Sequence, residues 1–192
     1  SRCCEKSRSD SRGSSSREKQ LQYSKGPLVS PTDNVRALLS INLPDKAKLL
    51  PFCRAHALLI RHNHFQRVAI DHTPHYLDMI EGQAQIGEAF SAIENGRVVA
   101  CFGIAPICPG VAEAWMIVDR SIAVHTIPLA RMSRCLFDGL GTAAGLHRCQ
   151  ITVNSQDTGA VRFAQWCKFE TEGLLRKAGP DESDHFIMAR LY

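Results

Sequence analysis

The sequence predicts an α/β fold in which helices flank one central sheet that has both antiparallel and parallel strand pairs. Asn95-Gly96 lies between two apolar runs, a pattern typical of a β-hairpin because both residues accept positive φ. An apolar stripe at helical spacing, from Leu129 to Ala143, then separates two short apolar strands. The predicted order is helix, helix, hairpin, strand, helix, strand, helix, strand, strand, with no internal repeat.

Two helices are predicted before the hairpin. The first begins at Asp45, which can cap it. Its apolar positions at helical spacing are Leu49, Leu50, Cys53, Ala57 and Ile60. Pro51 conflicts with an unbroken helix, since proline must either begin the helix or kink it. Thr73-Pro74 supplies a capping hydroxyl and a proline for a second, short helix, predicted to run to about Glu81 and to end at Gly82.

The hairpin strands are predicted at 89–93 and 98–104, and the next strand at 112–118. Thr126 can cap the long helix, with Pro128 in its first turn and Gly145 placed to end it. A strand follows at 149–153, and Ser155 or Asp157 begins a helix. Phe169 begins the last two strands, which continue through Leu174–Leu175 and close with 185–191.

Charge divides the chain into an arm and a body. Residues 1–26 contain seven Lys or Arg, three acidic residues and eight serines, and they carry the whole net charge of +4. Such a segment buries too little apolar area to offset its ordering entropy when alone. We therefore divide the chain into a basic arm and linker, 1–35, and a folded domain, 36–192. The arm is either a contact to phosphate or an acidic protein surface, or a solvated leader with no specific partner.

Several classes of protein are excluded by composition. No apolar run approaches the ~20 residues of a membrane span. No apolar signal segment is present at the N-terminus, unless one was removed before this numbering begins. The eight cysteines include no CxxC pair, and five of them fall in predicted helices and strands, which favours a reducing compartment. Five histidines lie between His56 and His75 without a metal-ligand partner at a recognisable spacing, so no metal site is predicted.

One run of residues resembles a known family. From Ile151 to Lys177 the sequence ITVNSQDTGAVRFAQWCKFETEGLLRK has a strand ending in Asn, a helix, a Phe and a Glu-Gly turn. With the Asn95-Gly96 hairpin followed by VVACFGI, it resembles the GNAT superfamily of N-acetyltransferases over roughly residues 36–192. The likeness is greatest to the acetyltransferase-like proteins of tailed bacteriophages. The matching positions are Asn154, Ala160, Arg162, Phe169, Glu172, Gly173 and Arg176.

This resemblance implies acetyl-CoA as the cofactor, no metal, and direct attack of an amine on the bound thioester. It implies a diphosphate held by backbone N–H groups at the start of the long helix. The cofactor-binding residues that it implies are Val118, Arg131, Arg134 and Asn154. Glu113 and His125 are the candidate bases, although Glu113 could instead face solvent at a strand start and His125 could cap the helix.

The sequence departs from the family pattern at the cofactor loop. The stretch 119–132, DRSIAVHTIPLARM, has no glycine, and Pro128 lacks an N–H that a phosphate would use. Ala164 stands where the family often has a tyrosine that protonates the leaving thiolate. We therefore expect weak acetyl-CoA binding or none, with a dissociation constant no tighter than about 10 µM.

Two functions remain open on the sequence. One is an acetyl-CoA-dependent N-acetyltransferase encoded by a phage. The other is a non-catalytic structural or assembly protein of a phage virion, whose arm binds a neighbouring subunit or contacts nucleic acid weakly and without sequence preference. Either function would place the protein in the host cytoplasm or the virion. A dedicated nucleic-acid-binding module has only the arm in its favour, because the body has no net charge.

Overall fold

A computed structural model describes residues 47–121 and 126–192 as one seven-stranded mixed sheet with helices on both faces. The strands are β1 Ala47–Pro51, β2 Glu88–Glu94, β3 Arg97–Cys108, β4 Val111–Val118, β5 Arg148–Asn154, β6 Glu170–Leu175 and β7 His185–Leu191. Their order across the sheet is β1-β2-β3-β4-β5-β7-β6. The helices are α1 Arg54–Leu59, α2 His64–His72, α3 Tyr76–Ile86, α4 Thr126–Ala143 and α5 Thr158–Trp166. The predicted mixed α/β architecture is confirmed. The predicted arm and its boundary at residue 35 lie outside the described residues.

The two faces of the sheet are covered by different helices. On one face, Ala57 of α1, Ile80 of α3 and Ile117 of β4 belong to one buried cluster. On the other face, α4 and α5 pack on two clusters that include Phe102 of β3 and Met188 of β7. Side chains alternate between faces along a strand, so β4 contributes to both layers and lies at the centre of the fold.

The hairpin prediction is confirmed. Strands β2 and β3 pair antiparallel and are joined by Asn95, with φ 50°, and Gly96, with φ 77°. Positive φ at both central residues is the geometry that favours the Asn-Gly sequence. The parallel pair that follows is the adjacent pair β4 and β5, connected through α4.

The prediction of a helix from Asp45 is wrong over its first half. Residues 47–51 form β1, which pairs antiparallel with β2, and α1 begins only at Arg54. Pro51 is the reason: it lacks the N–H that a helix interior needs but is tolerated at the end of an edge strand. The apolar residues that suggested one helix therefore belong to two elements: Leu49 and Leu50 lie in β1, and Ala57 lies in α1.

The second predicted helix is also displaced, and a further helix was missed. Helix α3 begins at Tyr76, after the Thr73-Pro74 turn, and passes through Gly82 to end at Ile86, with Gly87 as its C-cap. A Cβ at Gly87 would lie 1.9 Å from the Ile104 carbonyl oxygen, whereas nothing lies within 4 Å of one at Gly82. The glycine that α3 requires at its end is therefore Gly87, where the backbone packs closely on β3, and not Gly82. The missed helix, α2, is capped by Asn63, whose side chain accepts from the Gln66 N–H at 2.8 Å.

Candidate functional site

The gap between β4 and β5 is the candidate site. The two strands pair over three residue pairs, which join Val111–Glu113 of β4 to Arg148–Gln150 of β5. Beyond them, neither the rest of β4 to Val118 nor the rest of β5 to Asn154 has a partner across this seam. Two strands that pair at their beginnings and separate afterwards open a wedge toward their C-terminal ends.

The backbone of β4 directs polar groups into this wedge. In an antiparallel pair, successive residues turn their N–H and C=O groups to opposite sides of the strand. The Asp119 N–H donates to the Val99 carbonyl of β3 at 2.9 Å. Val118 therefore turns its own N–H and C=O away from β3, toward the side where β5 diverges. By the same alternation, Ala114 and Met116 do so as well.

The Gln66 side chain of α2 occupies those groups at Val118. With the amide oriented to satisfy both bonds, its nitrogen donates to the Val118 carbonyl oxygen at 2.9 Å and its oxygen accepts from the Val118 N–H at 3.0 Å. The backbone of β4 thus lines one side of the open end of the wedge, and its last residue, Val118, is bonded to the Gln66 side chain.

An ion pair fixes the chain beside Val118. Asp119 is 1% exposed, and its carboxylate accepts from the Arg61 guanidinium at 2.9 and 3.1 Å and from the Arg61 N–H at 3.0 Å. It also accepts from the Ser121 N–H at 2.9 Å and from the Ser121 hydroxyl. The Arg61 guanidinium and these further donors hold the pKa of Asp119 well below its usual range.

Residues 61–66, which we call the bridging segment, contact both sides of the wedge. Arg61 and Gln66 hold the end of β4, as described above. On the β5 side, the Asn63 amide donates to Asp157 at 3.4 Å, and Asp157 caps α5 by accepting from the Ala160 N–H at 2.9 Å. The bridging segment therefore spans the open end of the wedge.

His62 in the bridging segment is a functional candidate that sequence reasoning missed. Its Nδ1 is buried and has no hydrogen-bond partner among the described residues. Burial lowers the pKa of His62 below its ordinary value of 6.5, and nearby Arg67 lowers it further, against smaller opposing effects of Asp71 and Asp119. The imidazole is therefore neutral at pH 7 and able to accept a proton. The sequence did contain a signal, since His62 lies in the histidine-rich stretch 56–75. That stretch was interpreted only in terms of metal ligands, so a role as a base was not considered.

Of the two predicted bases, one lies at the closed end of the wedge. Glu113 belongs to the last β4–β5 pair, opposite Gln150, and strand alternation places it on the same face as Trp115 and Ile117, beneath α1 and α3. His125 falls in residues 122–125, outside the described residues.

The predicted cofactor residues lie on three elements. Val118 ends β4 and Asn154 ends β5, so these two lie on opposite sides of the open end of the wedge. Asn154 is engaged locally: its amide nitrogen donates to the Ser183 hydroxyl and its oxygen accepts from the Gln156 N–H, both at 2.9 Å. Arg131 and Arg134 are exposed on α4, which begins after β4. Within residues 47–121 and 126–192, no group of three metal-ligating side chains converges.

Comparison with known proteins defines the fold. No family model and no curated protein matches the sequence. The ribosomal L7/L12 alpha-N-protein acetyltransferase in complex with coenzyme A matches with a TM-score of 0.61 and 13% identity, over 77% of this chain and 95% of that one. A GNAT family acetyltransferase from Elizabethkingia anophelis with acetyl-CoA bound matches with a TM-score of 0.56 and 13% identity, over 78% and 100%. The ribosomal-protein-S5-alanine acetyltransferase from Vibrio fischeri matches with a TM-score of 0.56 and 13% identity, over 78% of this chain and 94% of that one.

This chain has the GNAT fold. Within that fold, Ala164 is 3% exposed and packs in the same buried cluster as Phe137 and Cys167. The position that the sequence alignment matched to the family's tyrosine is therefore part of the core and carries no proton donor. None of the helices within the described ranges has the length and apolarity of a membrane span.

Proposed function

We propose that this GNAT-fold chain is an acetyl-CoA-dependent N-acetyltransferase. The observation that carries the proposal is the wedge, where β4 and β5 separate after three pairs and β4 turns backbone N–H and C=O groups into the gap. Those groups suit an extended ligand with amide groups, which can bond to a strand edge as another strand would. Two of the similar structures carry coenzyme A or acetyl-CoA, which supports this class of ligand.

The described residues fit such a ligand at both ends. The backbone of Val118 and its neighbours on β4 offers donors and acceptors for the amide-bearing arm. Helix α4 begins after β4, and Arg131 and Arg134 on its exposed side supply positive charge for phosphate. Bound acetyl-CoA would supply the acetyl thioester that an amine attacks, and coenzyme A would leave as its thiolate as the C–S bond breaks.

The amine must lose a proton as it is acylated, and we assign that proton to His62. A neutral imidazole accepts it, and His62 belongs to the bridging segment, which contacts both sides of the wedge. Glu113 and His125 remain alternative acceptors, and Glu113→Gln tests the first. Because the reaction needs positioning more than side-chain chemistry, the buried Ala164 does not prevent it.

Calorimetric titration with acetyl-CoA, followed by transfer of radiolabelled acetyl to a panel of amines, tests the proposal. We expect a dissociation constant of about 10 µM or weaker, because Pro128 and the glycine-free stretch remove close backbone donors. Replacing Arg131 or Arg134, whichever contacts phosphate, with Ala should weaken binding by ~1.5–3 kcal/mol. No binding and no transfer would contradict the proposal.

The base assignment has a separate test. His62→Asn should lower kcat by about 10²–10⁴-fold while leaving the dissociation constant of acetyl-CoA nearly unchanged, because a general base acts on the amine. Glu113→Gln is the matched variant and should retain most of kcat. A full loss of turnover in Glu113→Gln and none in His62→Asn would reverse the two roles.

One observation favours a second function, a non-catalytic structural or assembly protein of a phage virion. The bridging segment already occupies the open end of the wedge, as expected of a cleft that no longer takes a ligand. In that case the arm, residues 1–35, would bind a neighbouring subunit or nucleic acid, and the protein would reside in the virion. The same titration discriminates between the two functions, since only the transferase needs acetyl-CoA.

A further inference from the structure

The pair of hydrogen bonds between Gln66 and Val118 has the form of a ligand contact. A primary amide presents one donor and one acceptor side by side. Here it meets both the C=O, at 2.9 Å, and the N–H, at 3.0 Å, of one residue on the open edge of a strand. An extended ligand lying along β4 would use one of these two backbone groups with each of its amides, because the N–H and C=O of a trans amide point in opposite directions.

Gln66 is held at this position by its neighbours. Its own N–H donates to the Asn63 side chain at 2.8 Å, which fixes the first turn of α2. Arg61 and Asp119 fix the bridging segment to the residue after Val118, through the bonds described above. The amide is thus presented to Val118 by two anchors, one on each side, and needs little ordering to stay there.

We propose that Gln66 is an internal competitor that occupies, in the absence of ligand, the β4 backbone position for an amide of the pantetheine arm. This inference rests on the proposed function. The pantetheine arm contains two secondary amides, each with one N–H and one C=O. Binding of one of them at Val118 requires the Gln66 side chain to rotate away from β4, and its half-buried position in the first turn of α2, between exposed His64 and Arg67, permits this.

The competition has a consequence for affinity. The binding-competent population is the fraction of molecules in which Gln66 has left Val118, and the apparent dissociation constant rises as that fraction falls. Gln66 is therefore a cause of weak acetyl-CoA binding that is independent of Pro128. It acts only on ligands that carry the amide arm.

Calorimetric titration of the full chain and of Gln66→Ala, with two ligands, tests this selectivity. Acetyl-CoA carries the amide arm, whereas adenosine 3′,5′-bisphosphate carries only the nucleotide. Removing two neutral hydrogen bonds of the competitor should tighten acetyl-CoA binding about tenfold and leave the bisphosphate within twofold. Gln66→Glu should act in the same direction, because its carboxylate can no longer donate to the Val118 carbonyl. Gln165→Ala, an exposed glutamine on α5, is the matched control and should change neither affinity.

The outcomes separate this inference from the proposed function. Acetyl-CoA binding that is unchanged or weaker in Gln66→Ala, with measurable binding by the parent chain, overturns the competitor and leaves the transferase proposal standing. An equal gain in affinity for both ligands also overturns it, since the substitution would then act on the whole site and not on the amide arm alone. No acetyl-CoA binding by any of the proteins overturns the proposed function, and the competitor with it. Should Gln66→Ala fail to fold, Gln66→Glu carries the same comparison.

Discussion

Asp119 is the charged residue on which the geometry beside the wedge most depends. It is almost fully buried, yet its two oxygens accept from Arg61 and Ser121, so the desolvation cost of the carboxylate is offset by charge-assisted bonds. Because the pKa of Asp119 is lower in the folded protein than in the unfolded chain, the ionised carboxylate stabilises the fold. This stabilisation is fully present above pH 3.8, the ordinary pKa, and it is lost as the pH falls from there toward the pKa of the folded protein.

We therefore expect Asp119→Asn to lower the free energy of unfolding by about 2 kcal/mol at pH 7. The difference from the parent chain should shrink as the pH falls below about 3.8, where the unfolded carboxylate takes up its proton. Urea unfolding at pH 7 and at several lower values measures both effects.

Asp78→Asn is the control for this prediction. Asp78 pairs with Arg54, but both side chains are more than two-fifths exposed, so the pair contributes little. A loss as large for Asp78 as for Asp119 would show that burial is not what gives the Asp119 pair its strength.

At the scale of elements, close contact between strands and helices decides where glycine is required. Trp115 of β4 lies against Gly103 of β3: a Cβ there would approach its indole ring to 2.6 Å and the Glu88 carbonyl oxygen to 2.9 Å. In contrast, Gly82 sits inside α3 with open space around it. Glycine is therefore required by packing at position 103 of β3, whereas at position 82 of α3 it only lowers the stability of the helix.

Gly103→Ala and Gly82→Ala should therefore change stability in opposite directions. We expect Gly103→Ala to destabilise by about 1–3 kcal/mol through overpacking. Gly82→Ala should stabilise by about 0.5–1 kcal/mol, because alanine restricts the unfolded chain and favours helix. Thermal unfolding of the two variants gives the comparison, and a neutral Gly103→Ala would mean that Trp115 can move aside.

At the scale of the whole molecule, Arg190 joins the helical layer to the far half of the sheet. It lies on β7, is 5% exposed, and donates to the Cys167 carbonyl after α5 at 3.1 Å and to Asp138 of α4. Asp138 is about half exposed, so Arg190 is the buried charge that loses its partner when Asp138 is removed. Asp138→Leu should therefore cost about 2 kcal/mol, and the double variant Arg190→Met/Asp138→Leu should cost less than the single one, as measured by denaturant unfolding.

Sequence reasoning predicted the parts of this molecule that local rules specify. The Asn95-Gly96 hairpin and the α4 stripe each follow from short-range patterns. It failed at β1, because an edge strand is defined by its partner β2, about 40 residues away along the chain. Val118 and Asn154, which the family resemblance implied as cofactor-binding residues, lie at the ends of β4 and β5, and their role stays a prediction. Gln66 and His62 were missed, because only the folded chain brings α2 and the loop before it to the end of β4.

The wedge also bears on how this fold would change over generations. The groups that β4 offers at Met116 and Val118 are main-chain atoms, and every residue except proline supplies the same donor and acceptor. Mutation can replace these side chains repeatedly, provided that the core still packs, without erasing what the strand presents to a ligand. Selection on such a surface leaves almost no trace in the identity of its residues. Proteins with the same architecture at 13% identity, in the absence of any match at the sequence level, are what that freedom would produce.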